Sequence, residues 1–243
     1  MCEETKRDLY FCGDIHGELK TLVWTLTERY DISNADIIIL GDFGIGFDKS
    51  FPETYKKVEK KLDKHDITLN VLRGNHDDPA YFINPVNYPR LNFLEDHKIY
   101  NICGRDIYII GGAHSTDIED RLKTNEKRLR DHKLPCWWED EPVIEEYSLP
   151  THVDIIASHT APLNFDPVVT RDNLPIEQYK KIIKERKYLN DVLYEIRADF
   201  WFYGHFHKSY SGSFNSLLYK CLEPMELYMA PEKINHSPQG ELK

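Results

Sequence analysis

The chain has 243 residues, 41% hydrophobic and 30% charged, with a formal net charge of −10. That length suits one large domain with a well-buried core, and no apolar run approaches the roughly 18 residues that a bilayer-spanning helix needs. The acidic balance argues against broad attraction to a nucleic-acid backbone, and 5 scattered cysteines without a Cys-x-x-Cys spacing argue against a disulfide framework or a thiolate zinc site.

The first residues, Met1 to Asp8, are charged where a secretory signal needs an apolar stretch of about 7 to 15 residues, so the cytoplasm is the expected compartment. One domain is expected over 1–234, followed by a polar tail, 235–243, expected to be disordered.

Asp8–Cys12 is a short apolar run ending at Gly13, and Leu19, Leu22, Val23 and Leu26 follow at three- and four-residue spacing. Strand, turn and helix are expected there. Asp36–Leu40 reads as a second strand ending at Gly41-Asp42, Tyr55–Lys64 as a helix, and Thr68–Leu72 as a third strand ending at Arg73-Gly74-Asn75-His76. This is a βαβαβ beginning, and its continuous β-branched and leucine runs imply strands covered on both faces. Lys98–Ile102 and Asp106–Ile110 form an expected hairpin around Cys103-Gly104-Arg105, and Ser115 to Tyr147 is a long polar stretch. Val153–Ala157 and Phe200–Tyr203 read as strands, Pro175–Ile196 as a long helix, and Tyr210–Tyr228 as strands joined by tight turns. The basic stretches Arg121–Lys133 and Lys180–Lys187 read as solvated helix faces.

Polar residues of one chemical kind fall just past these strands. Asp14 and His16 follow the first, Asp42 the second, Asn75 and His76 the third, His159 the Val153 strand, and His205 and His207 the Phe200 strand. In open α/β sheets ligands bind beyond the carboxyl ends of strands. The i, i+2 spacing of His205 and His207, and of Asp14 and His16, puts both members of a pair on one side of an extended segment. A lone His-x-His is as readily a pair of surface histidines, so the argument rests on the whole set. That set holds two carboxylates, an amide oxygen and several imidazoles, with no thiolate. Its size suits two divalent ions about 3.5 to 4 Å apart sharing a carboxylate, which clamp a phosphoryl group and activate water. Mixed nitrogen and oxygen donors favour Mn, with Fe, Zn or Ni as alternatives, over Ca or Mg alone.

Gly13-Asp-Ile-His-Gly17, Gly41-Asp-Phe-Gly44, Gly74-Asn-His-Asp77, Ser158-His-Thr-Ala-Pro162 and Gly204-His-Phe-His207 resemble, in this order, the motif series of the calcineurin-like metallophosphoesterases, in particular single-domain phage and bacterial members. The resemblance implies an α/β (α+β) fold, a four-layer αββα sandwich of two mixed β-sheets flanked by helices, with a dinuclear metal site at the sheet edge. By position it implies that Asp14, His16, Asp42 and His207 hold a first ion, and that Asp42, Asn75, His159 and His205 hold a second, with Asp42 bridging. His76 takes the place of the acid that protonates the leaving oxygen. The implied activity is metal-dependent hydrolysis of phosphate esters by a metal-bridging water, with a phosphomonoester of a small molecule, nucleotide or phosphopeptide as the expected substrate. A phosphodiesterase or nuclease, and a non-catalytic metal-binding scaffold, are the alternatives.

The pattern departs from the phosphoprotein-phosphatase branch, whose second motif runs Gly-Asp-x-x-Asp-Arg-Gly. Here Ile45 and Gly46 stand where that branch has a carboxylate orienting the acid and a phosphate-gripping arginine. His76 is thus left without an identified partner, and Asp77 is either that partner or a turn-stabilising residue. Arg73 matches the branch and is an expected substrate contact. Gly111-Gly-Ala-His-Ser-Thr-Asp117, with Arg121 one helical turn later, resembles a stretch of the single-domain members and adds His114 and Arg121 as expected substrate contacts, a surface ion pair being the alternative for Arg121. Trp137-Trp138 reads as lid or core packing, or as a stacking platform.

Overall fold

Residues 7–85, 88–146, 148–168 and 174–234 are described in the computed structural model, so the tail expected to be disordered lies outside the described residues. Two mixed sheets form the centre. The first has β1 (Asp8–Cys12), β2 (Ala35–Ile39), β3 (Ile67–Val71) and β4 (Leu91–Phe93) side by side and parallel, with β11 (Leu227–Met229) antiparallel on the outer edge of β1. In the second, β6 (Arg105–Ile110), β7 (Ile155–Ser158), β8 (Phe200–Tyr203) and β10 (Leu217–Cys221) are parallel, flanked by antiparallel β5 (Ile99–Ile102) and β9 (Tyr210–Phe214).

Side-chain alternation sorts these strands into layers. Leu9 and Phe11, Ile38 and Leu40, Ile107 and Ile109, Ile155 and Ala157, and Phe200 and Phe202 meet in one cluster between the sheets. Phe11 stacks on Phe202 with ring centroids 4.0 Å apart. The intervening residues face outward: Cys12, Ile37 and Ile39 pack under α1 (Leu19–Trp24) and α2 (Phe51–Lys64), while Ile156, Trp201 and Tyr203 pack under α5 (Ile176–Glu195). Strands apolar on both sides therefore come from two coverings, and the four-layer αββα expectation holds. In α2 the buried residues Tyr55, Val58 and Leu62 recur every three or four positions.

The hairpin between β5 and β6 turns through Cys103 and Gly104, both at positive φ, as a two-residue loop that matches strand twist requires. α1 passes directly into a π-helical turn, Thr25–Arg29. The polar stretch from Ser115 contains α4 (Ile118–Arg130), on which Arg121 alone is buried. The short elements α3 (Ala80–Ile83) and β4 carry no periodic signal in the sequence. Among the described residues no helix is long and apolar enough to cross a membrane.

Candidate metal centre

The loops leaving β1, β2, β3, β7 and β8 converge at one edge of the sandwich. One ligand atom from each of Asp14, His16, Asp42 and His207 lies within 4.8 Å of the others. On the other side of Asp42, His159 Nε2 is 3.3 Å from Asp42 Oδ1 and 2.9 Å from Asn75 Oδ1, and His205 Nδ1 is 3.1 Å from the same amide oxygen. The structure thus brings together all the side chains proposed from the motifs as ligands, with Asp42 between two groups. Asp14, Asp42, Asn75 and His159 form a buried floor, and His16 and His207 stand at the exposed mouth.

The donors fit divalent cations. Each aspartate uses one oxygen locally: Asp14 Oδ1 accepts the His205 N–H at 3.1 Å and Asp42 Oδ1 the His76 N–H at 2.7 Å. Both Oδ2 atoms face His16 Nε2 at 3.9 Å, and Asp14 Oδ2 is buried with no hydrogen-bond partner among the described residues, although His207 Nε2 approaches it to 3.2 Å. An orphaned buried carboxylate oxygen is costly without a cation. His159 Nδ1–H donates to the Leu40 carbonyl at 2.7 Å, which turns the Nε2 lone pair toward the oxygens of Asp42 and Asn75. Lone pairs facing one another repel unless a proton or a cation stands between them. Burial opposes a charge on this ring, but Asp42 outweighs it and raises the His159 pKa to about 9. His16 Nε2 and His207 Nε2, 3.0 Å apart, pose the same requirement at the mouth.

The backbone is arranged for this convergence at some cost. His16, Asp42, His205 and His207 have φ of 45°, 48°, 67° and 52°, a region that disfavours side chains by roughly 1–3 kcal/mol per residue. Gly41, at φ 89°, passes so close to His159 that a Cβ would stand 2.3 Å from its Nδ1. Gly74 lets the β3 loop approach Asp42, where a Cβ would meet Oδ1 at 2.2 Å.

The Asn75 amide is fixed from behind. Its Nδ2 donates to Ser115 Oγ at 2.9 Å, which points Oδ1 at the imidazoles. Ser115 donates its backbone N–H and hydroxyl to Glu141 at 2.9 and 2.8 Å. Arg121 binds Glu141 at 3.1 Å and the carbonyls of Asn75 and Cys136 at 3.0 and 2.8 Å. Ser115 lies inside the Gly111–Asp117 motif, so the sequence offered a pointer to it; Glu141 stands in an acidic run with no feature to single it out.

The expected substrate contacts are rearranged by these packing facts. Arg73 is 2% exposed, and its guanidinium is fully engaged with Asp96 and the carbonyls of Asp140, Glu141, Gly111 and Pro142. It clamps the loops beside β3 and has no donor left for a phosphate. Arg121 is 6% exposed and engaged by Glu141 and the carbonyls of Asn75 and Cys136, so it is not a surface ion pair, and it borders the small cleft that His76 also lines. The His114 N–H donates to Glu185 at 3.1 Å, and burial, then Lys181 and Lys184 of α5, push its ring down to about 4. Among the described residues no hydrogen bond or ring contact ties His114 to the Asp/His cluster. Asp77 is fully buried and accepts the N–H groups of Phe43, Gly44, Ile45 and Gly74 at 2.7 to 3.2 Å, which makes it the turn-stabilising residue.

His76 is half-buried at the open side, its ring edge-on to His16 at 5.3 Å and nearly parallel to Phe47 at 6.4 Å. Burial lowers its pKa, with the charges of Asp42 and Asp117 acting in the opposite direction. Asp117 and Asp120, on the α4 side of the ring, line a small cleft together with His76 and Arg121.

The αββα sandwich presents oxygen and imidazole donors from strand ends around a buried aspartate, a donor set that could hold a metal ion. The family model described as Calcineurin-like phosphoesterase matches residues 8–209, and the chain belongs to that family. It is a hydrolase acting on phosphate ester bonds. No curated protein sequence matches the chain. Among solved structures it is similar to a phosphopantetheinyl hydrolase from Mycobacterium tuberculosis, at 12% identity over 96% of this chain and 99% of that one, with a TM-score of 0.47. A putative 5'-nucleotidase from Staphylococcus aureus, in complex with alpha-ketoglutarate, is similar at 14% identity and a TM-score of 0.40, over 89% of this chain and 48% of its own length.

Proposed function

We propose that the chain is a phosphomonoesterase working with two divalent cations, Mn foremost among Mn, Fe, Zn and Ni, held around a shared Asp42. The observation that carries this reading is the gathering of Asp14, His16, Asp42 and His207 with ligand atoms within 4.8 Å of one another, and of Asn75, His159 and His205 on the other side of Asp42, with the buried Asp14 Oδ2 left without a hydrogen-bond partner among the described residues. When bound, the cations neutralise charge on the phosphoryl oxygens and bring the pKa of water down toward neutrality. Asp14, His16, Asp42 and His207 would hold the first, and Asp42, Asn75, His159 and His205 the second. The Leu40 carbonyl and Ser115 keep His159 and Asn75 in their binding orientations, so little reorganisation accompanies the reaction. His76 donates its proton to the leaving oxygen, a transfer of the kind that contributes about 10² to 10⁴ in rate.

Charge favours a small monoester over a nucleic-acid strand. The chain carries −10, which disfavours broad attraction to a nucleic-acid backbone. The test compares hydrolysis of p-nitrophenyl phosphate and bis(p-nitrophenyl) phosphate with added Mn²⁺. Higher kcat/KM on the monoester is the expected result, and a clear diester preference reverses the reading. Two bound ions without turnover of either would point to a scaffold.

A further inference from the structure

The cluster opens on one side into a cleft of about 390 Å³, lined by His16 and His76 at the reacting end and by Phe43, Phe47 and Phe51 beyond them. Pockets of roughly 300–1,000 Å³ hold drug-sized groups, so this one has room for a ring and a short linker. Phe43 meets Phe51 edge-on at 5.7 Å, and Phe47 is braced edge-on by Trp138 at 5.2 Å, which fixes the aromatic walls. None of the lining residues is Lys or Arg, and the one charged side chain, Asp48, is negative. Its carboxylate is held at the rim by the Ser50 N–H at 2.8 Å and the Ser50 hydroxyl at 2.5 Å.

We infer that this cleft receives the alcohol part of the substrate and selects phosphate monoesters whose alcohol carries an uncharged aromatic group. The inference rests on the phosphomonoesterase reading for the position of the phosphoryl group. His76 forms part of the cleft wall, the group that protonates the leaving oxygen must border the space the departing alcohol occupies, and of the two clefts that His76 borders this one has about 390 Å³ against about 210 Å³ on the α4 side. Aromatic rings pack edge-to-face and offset-stacked against the phenylalanines, with a gain beyond their area. A leaving group bearing a second phosphate or a carboxylate would meet Asp48 and no Lys or Arg in the cleft lining, the nearby Arg128 being engaged by the Phe47 carbonyl at 2.7 Å.

The test uses phosphonates, which bind without turnover, so that recognition is read separately from catalysis. Isothermal titration of the Mn²⁺-loaded protein with 2-phenylethylphosphonate and propylphosphonate should give a Kd at least about 10-fold lower for the aromatic ligand. 2-Carboxyethylphosphonate should bind more weakly than propylphosphonate. Phe47→Ala should bring the aromatic-to-propyl ratio toward one, and Phe47→Leu should lower it partway. Equal affinities of the wild-type protein for the aromatic and propyl ligands overturn this inference and leave the phosphomonoesterase reading intact. An aromatic preference in a protein that hydrolyses no monoester supports the cleft and overturns the activity. Failure of the loaded protein to bind any of the three overturns both.

Discussion

Arg121→Met tests whether the buried guanidinium props the metal site or contacts substrate. The side chain is 7% exposed and its partner Glu141 1%, so the pair is screened little by solvent. Removing one member of such a pair leaves an uncompensated buried charge and costs about 3–5 kcal/mol. For a chain of this size that is a fall in Tm of roughly 6 to 20 °C. Two carbonyl acceptors, on Asn75 and Cys136, lose their donor as well, so the amide of Asn75 is less well held and affinity for the second cation should drop about 10- to 100-fold. The assays are thermal unfolding and Mn²⁺ titration of Arg121→Met, Glu141→Gln and the double variant. Because the two substitutions remove one interaction, the double variant should recover at least half of the stability lost by Arg121→Met. An unchanged Tm accompanied by a raised KM for phosphate esters would refute this reasoning and make Arg121 a substrate contact after all.

His76→Ala should retain both cations but slow hydrolysis of alkyl phosphates about 10²- to 10⁴-fold, and of p-nitrophenyl phosphate much less, because an activated leaving group needs no acid; a loss of metal instead would place His76 among the ligands. Gly41→Ala, at φ 89° and with a Cβ 2.3 Å from His159 Nδ1, should displace that ring and weaken Mn²⁺ binding at least about 10-fold, read by isothermal titration. Chelation should lower Tm: ions at 100 times their Kd contribute about 2.7 kcal/mol, and an unaltered melting curve with EDTA would show that the cluster holds none.

How far the sequence disclosed this molecule varies with the range of the forces involved. The Asp8–Cys12 and Phe200–Tyr203 strands were legible to the residue, because an apolar run cut off by a glycine is a local signal. The convergence of Asp14, Asp42 and His159 was legible because metal chemistry demands particular donors at strand ends. β4 and α3 were not, since three or four residues cannot display a period and their conformation comes from pairing with β3 and packing of Phe82. Arg73 misled for a related reason: an arginine beside a phosphate motif reads as an anion contact until Asp96, 23 residues away, is seen to take it. Asp77 shows the same dependence, its four backbone donors lying mostly in the β2 loop.

The central claim is that two cations share Asp42. Anomalous diffraction from crystals grown with Mn²⁺ addresses it directly: two peaks about 3.5 to 4 Å apart on either side of the Asp42 carboxylate are predicted. A single peak, with Asn75 and His205 turned away from it, would contradict the account.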